Sequence, residues 1–310
     1  MLIALLIIAR TAQIGASILL GGTFTFELVA LGSVRRPASD DLHEFERRLL
    51  QLAQWSLIAA LLSALLWFWL EVANMNGLPL TRVLSTTAWQ AVLFETEFGR
   101  VWQLRLALIA VAFALVALGL AQAQVRGALI LALSLVSVGL LVSLASISHA
   151  AAGRVQPLAL LGDALHLCAA GAWIGGLVPL AIFLTRAHAS FSLGECAIPV
   201  LRRFSTLSLS CVGVLIVSGI SNSWLLVGSI HALFTTRYGW LLLVKLTLFG
   251  VLVVFGARNR FVIKTKLTRV LVGSDLLAQL RRNVICEVCL ALAVVAIVAC
   301  LGVTPPARHP

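Results

Sequence analysis

Long apolar runs separated by short polar stretches fill the chain, and each run has the length of a bilayer crossing, about 20 residues. Taken in order, they predict helices over residues 2–32, 47–73, 98–122, 127–148, 159–186, 203–228, 239–257 and 283–303. Helix is the form expected for all eight, because hydrocarbon offers the backbone no hydrogen-bond partner. The first run starts beside Met1 and continues to Leu31. That exceeds the roughly 7–15 residues of a signal-peptide core, so it is expected to be a retained anchor. Residues 74–97 carry Pro79, Arg82 and Trp89 and are too polar to cross. They are expected to lie along the interface as a short amphipathic piece. The expected fold is therefore an all-α polytopic membrane protein, one integral domain over 1–310.

The pattern repeats. Thr96-Glu97-Phe98-Gly99 followed by Arg105 matches Thr236-Arg237-Tyr238-Gly239 followed by Lys245, with the same spacing from Thr to cation. Arg47-Arg48 opens the second run as Arg202-Arg203 opens the sixth, and LLGG at 19–22 resembles WIGG at 173–176. Two four-helix halves are expected, 1–152 and 153–310. With four crossings in each, both halves enter from the same side, which makes the repeat parallel about an axis along the membrane normal.

Composition strengthens the membrane reading: 61% of the 310 residues are hydrophobic and 11% charged, against about 25% charged in an ordinary soluble domain. The net charge of +11 does not point to nucleic acid, because no soluble basic module exists to carry it. Most of the Lys and Arg fall in alternate connections: Arg35, Arg36, Arg47 and Arg48; Arg126; Arg186, Arg202 and Arg203; then Arg258, Arg260, Lys264, Lys266, Arg269, Arg281 and Arg282. The opposite side holds Arg82, Arg100, Arg154, Arg237 and Arg308. By the positive-inside rule both termini face outward, which in a bacterium is the periplasm. The six cysteines lie in or beside apolar runs and form no secreted disulfide framework.

Chemistry concentrates at the outer end of the fourth and fifth runs. Asp163 and His166 are three apart and share a helix face; His149, ending the preceding run, is the natural third member. Nitrogen ligands with a carboxylate suit copper(II) or zinc better than magnesium. The alternative is that the three are interfacial polar residues capping helix ends. Sulfur could come from Cys286 and Cys289, a Cys-x-x-Cys near the inner end of the last run, or these could simply pack as small hydrophobes. Met1 and Met75 are the only methionines, which excludes a methionine ladder for copper(I). Arg10, Glu27, Arg105, Lys245 and Glu287 are intramembrane charges expected to face the bundle interior and pair. Because a cation repels a metal ion, Arg105 and Lys245 are not expected to line the metal site. Trp173 with Gly175 and Gly176 predicts a close helix contact beneath His166.

Together the motifs resemble the CopD family of bacterial inner-membrane copper resistance and copper uptake proteins. The resemblance rests on Ser148-His149-Ala150, Asp163-x-x-His166, Trp173-Ile174-Gly175-Gly176-Leu177, Arg203-Phe204-Ser205, Ser218-Gly219, Thr236-x-Tyr238-Gly239, Lys245, Asn259-Arg260 and Glu287. It is densest over 148–290. It implies copper handling across the inner membrane, alongside periplasmic copper-binding partners of the CopC type.

The expected function is copper transport or uptake, with copper received at His149, Asp163 and His166. A haem-binding electron carrier using His149 and His166 and a non-transporting copper-binding partner or sensor are the alternatives. Hydrolytic enzymes are disfavoured by the absence of HExxH, Gly-x-Ser-x-Gly and Walker motifs.

Overall fold

The computed structural model describes residues 1–32, 40–122, 127–147, 156–266 and 274–307. Among them the chain is all helical, and eight segments are long and apolar enough to span a membrane. Helix α1 (Leu2–Thr25) runs on through a π-helical turn, Phe26–Leu31. Next come α2 (Asp40–Asn76), the short α3 (Ala88–Glu95), α4 (Glu97–Ala121) and α5 (Gly127–Ala145). The fifth span is α6 (Gln156–Ala170) and α7 (Leu177–Ala189), joined by a second π turn at Gly171–Gly175. Helices α8 (Phe191–Val227), α9 (Ile230–Thr235), α10 (Arg237–Lys266) and α11 (Ser274–Leu301) complete the chain.

All eight expected crossings are present, and residues 74–97 hold only a 3-10 turn at Leu80–Arg82 and α3. The helices outrun the expected bounds at the arginine-rich end. Helix α2 starts at Asp40, inside the polar stretch that precedes the second apolar run, and α8, α10 and α11 extend similarly. Charge ends a membrane span but not a helix: Arg48 donates to Glu44 one turn away at 2.8 Å through Nη2, a helix-stabilising i,i+4 pair.

Helix α1 is the hub, packing on α2, α5, α11 and the Gly171–Gly175 turn. The closest approach is between glycines. A methyl added at Gly22 would overlap the backbone of Gly175 and Gly176, and one at Gly175 would overlap the Ile18 carbonyl. Small residues permit such contact in lipid, where packing rather than hydrophobicity drives association. The wide turn has a local reason as well: Pro179 has no N–H to give the carbonyl of Gly175, the residue at which the turn ends. Near the arginine-rich end, Phe26 meets Phe45, Phe183 and Phe204 at centroid distances of 6.5, 6.4 and 5.8 Å, tying α1 to α2, α7 and α8.

Two N-termini are built alike. Thr96 caps α4 by accepting from Gly99 N at 3.0 Å, and Thr236 accepts from Gly239 N at 3.0 Å. Each follows a short helix, and a side chain at Gly99 or Gly239 would strike carbonyls of that helix, Val92 and Leu93 or Ala232 and Leu233.

Candidate metal centre

Asp163 and His166 lie one turn apart on α6, both half-buried, and the facing wall is α8. Their partners there, Ser218 and Asn222, are themselves one turn apart. His166 Nδ1 is 2.9 Å from Ser218 Oγ, and Ser218 spends its single hydrogen on the Val214 carbonyl at 2.6 Å. Ser218 therefore accepts, so Nδ1 carries the ring proton and Nε2 keeps a free lone pair. An imidazole oriented in this way is how a metal-ligating histidine is set. Asn222 Nδ2 donates to Asp163 Oδ1. The Asn222 carbonyl oxygen is buried and has no hydrogen-bond donor among the described residues.

Helix α10 adds the third side. Lys245 interacts electrostatically with both Asp163 and His166, and Tyr238 with Asp163. Helix α10 returns to the same end of the bundle as α6, which sets the Lys245 ammonium where it counters the Asp163 carboxylate. His149, the third expected ligand, lies outside the described residues. Among the described residues no three of His, Cys, Asp and Glu converge as metal ligands. Beneath the pair, Trp173 is buried and edge-on to Phe249 at 6.1 Å.

The other intramembrane polar groups are spread among separate contacts. Arg105 is buried and donates to the Leu140 carbonyl at 2.8 Å, to Ser143 Oγ at 2.6 Å and to Ser17 Oγ at 3.3 Å, all in the first four spans. Arg10 stacks on Trp67 at 4.8 Å, and Trp67 donates to Glu71 at 3.0 Å. Glu27 is fully buried and engaged in polar contact. Glu287 is buried and accepts from Asn259, which in turn accepts from Asn283 at 2.7 Å. Cys286 and Cys289 flank Glu287 but are exposed, on the side of α11 turned away from the bundle. They do not meet Asp163 and His166. Arg203 is exposed, while Tyr238 packs with Val227, Leu242 and Leu301.

Sequence reasoning found the pair but missed Asn222 and the orienting role of Ser218. The signal was present: two polar residues at i and i+4 in the outer half of an apolar helix form a face that must meet something polar.

The family described as "Copper resistance protein D" matches residues 198–301, and "Copper resistance protein D-like, N-terminal domain" matches 1–156. Among curated proteins, the chain is 35% identical over 170 residues to the copper transport protein CutJ of Bacillus subtilis (strain 168). That match covers 53% of this chain and 30% of CutJ. It is 32% identical over 219 residues to the inner membrane protein YebZ of Escherichia coli (strain K12), covering 70% of this chain and 72% of the relative. To copper resistance protein D of Pseudomonas syringae pv. tomato it is 30% identical over 220 residues, 68% and 70% of the two chains. No solved structure gives a significant match. Eight apolar spans and these relatives make this a multi-pass inner-membrane protein. The chain belongs to the copper resistance protein D family.

Proposed function

We propose that the protein carries copper inward across the bacterial inner membrane, receiving it at the periplasmic face on Asp163 and His166, with His149 as third ligand. The observation that carries this reading is the hydrogen bond from His166 Nδ1 to Ser218 at 2.9 Å. It leaves Nε2 free on the helix face that also carries the Asp163 carboxylate, opposite a helix bearing the Asn222 carbonyl oxygen, which has no hydrogen-bond donor among the described residues; such oxygen and nitrogen donors suit copper(II). Copper is the cargo. Its periplasmic donor is a copper-binding protein of the CopC type, and both termini of this chain face that compartment.

Lys245 offsets the charge of Asp163 while the site is empty and gives way when the metal arrives. Trp173 closes the way below, so passage requires α6 and α10 to shift against each other. The two halves, 1–152 and 153–310, form a parallel repeat whose matching pairs, Gly21-Gly22 and Gly175-Gly176, meet through Gly22 and Gly175, and whose matching caps are Thr96 and Thr236. Transport rather than enzyme chemistry is the role: Ser218, the hydroxyl beside His166, gives its hydrogen to the Val214 carbonyl and receives one from the ring, so the histidine does not serve it as a base.

Copper accumulation in cells expressing wild type or His166→Ala at equal protein level tests the reading. A several-fold loss in the variant is expected; equal accumulation removes the site from the path.

A further inference from the structure

A cavity of about 310 Å³ opens at the arginine-rich end between α7, α8, α10 and α11. Trp173, which lies beneath Asp163 and His166, forms part of its inner wall. Its walls are mostly apolar, with Trp173, Leu180 and Val253 deep inside. Leu209 on α8 and Phe261 on α10 also line it, yet they are 57% and 68% exposed. The cavity therefore opens sideways between those helices, to the surface that meets lipid.

Polarity is graded along this slot. On α8 the serines Ser205 and Ser208 lie nearer the arginine-rich end than Val212, and on α10 Asn259 and Arg260 lie nearer it than Val253. Glu287 is the exception at depth, and the Asn259 amide donates to its carboxylate. At the mouth, Arg260 donates through Nη1 alone, to the carbonyl and hydroxyl of Ser205 at 3.0 and 2.8 Å. Its Nε and Nη2 make no hydrogen bond among the described residues. Arg203 precedes the lining residue Phe204, and Arg281 follows Leu280; both are exposed. None of the three arginines is in an ion pair with a described residue.

From this gradient we infer that the slot is a binding site for an anionic phospholipid of the cytoplasmic leaflet, its phosphate held by Arg203, Arg260 and Arg281 and one acyl chain inserted toward Trp173. An apolar chain fits the walls, and a phosphate supplies an acceptor for Arg260 Nε and Nη2 and for Arg203 and Arg281, which have none among the described residues. Basic pockets between spans on this side of a membrane bind acidic headgroups. Among the described lining residues there is no sulfur or imidazole to carry copper, and the one carboxylate, Glu287, is taken by Asn259.

The test uses the full-length protein in phosphatidylcholine bilayers containing a small fraction of either phosphatidylglycerol or phosphatidylcholine with brominated acyl chains, which quench tryptophan on contact. The emission lost on Trp173→Phe defines the share due to Trp173. That share is expected to be quenched by the brominated phosphatidylglycerol at fractions where the brominated phosphatidylcholine has little effect. The exposed Trp224 and Trp240 report equal quenching by both. Ser208→Phe, which fills the slot, is expected to abolish the Trp173 quenching, and R203A/R260A/R281A to raise the half-quenching fraction at least fivefold. No quenching of Trp173, or equal quenching by the two lipids, overturns the site. If Trp173→Phe does not fold, native mass spectrometry of wild type and the triple-arginine variant decides. Retention of phosphatidylglycerol by wild type and its loss in the variant supports the proposal, and equal retention contradicts it.

Discussion

His166 and Ser218 are joined across α6 and α8 by a 2.9 Å hydrogen bond in which the histidine donates, because the serine hydrogen is already committed to Val214. Ser218→Ala removes the group that fixes the tautomer while keeping the helix. Copper affinity of the purified protein, measured by titration, is expected to fall about 10–100-fold, the usual cost of losing an orienting partner. Ser218→Thr, which keeps the hydroxyl, is expected to stay near wild type.

Lys245 shares the site's electrostatics with Asp163 and His166. Lys245→Met deletes a positive charge that opposes a bound cation. Equilibrium copper binding is expected to tighten at least tenfold, since unit charges about 10 Å apart already interact by roughly 1.7 kcal/mol at an effective dielectric near 20. Unchanged or weaker binding in titrations of the variant means that the ammonium does not compete with copper.

The Gly22 and Gly175 contact leaves no room for a methyl on either side. Gly22→Ala and Gly175→Ala are each expected to cost about 1–3 kcal/mol through overpacking, read as a lowered midpoint in thermal unfolding. Gly15→Ala is the control, because a Cβ there meets nothing within 4 Å, and it is expected to leave the midpoint unchanged or raise it.

Arg105 satisfies a carbonyl and two hydroxyls from α5 and α1. Arg105→Leu strips the donor from these buried acceptors, at about 1–3 kcal/mol for a group left unsatisfied. The same unfolding assay is expected to show the loss, with copper affinity at Asp163 and His166 unchanged, because the arginine binds only within the first four spans.

Thr96 and Thr236 cap α4 and α10 with the same bond. Thr→Val at either position keeps the shape and removes the acceptor. Each is expected to cost about 1 kcal/mol, measured as a shift in denaturation midpoint. A loss at one position only would show that the two caps differ in function despite their matching form.

The eight spans were legible in the sequence because hydrocarbon imposes a length and a composition that leave few alternatives. The reach of α2, α8, α10 and α11 beyond the apolar runs was not, since outside lipid a charged helix is held by pairs such as Glu44 with Arg48 and hydropathy does not register them. At the site, Asp163 and His166 were readable from their shared face. Asn222 was not, nor was the carboxylate that Lys245 faces, because pairing across α6, α8 and α10 depends on how the helices are arranged. The spacing of Cys286 and Cys289 placed them on a common face without saying which way it turns. The burial of Glu287 between them settles that: the carboxylate takes the interior and the cysteines turn outward.

The most direct measurement is a structure of the copper-loaded protein with the metal identified by anomalous diffraction at the copper edge. The account predicts a peak within bonding distance of His166 Nε2 and an Asp163 oxygen, lost in His166→Ala. A peak at Cys286 and Cys289, or one that survives the substitution, would contradict it.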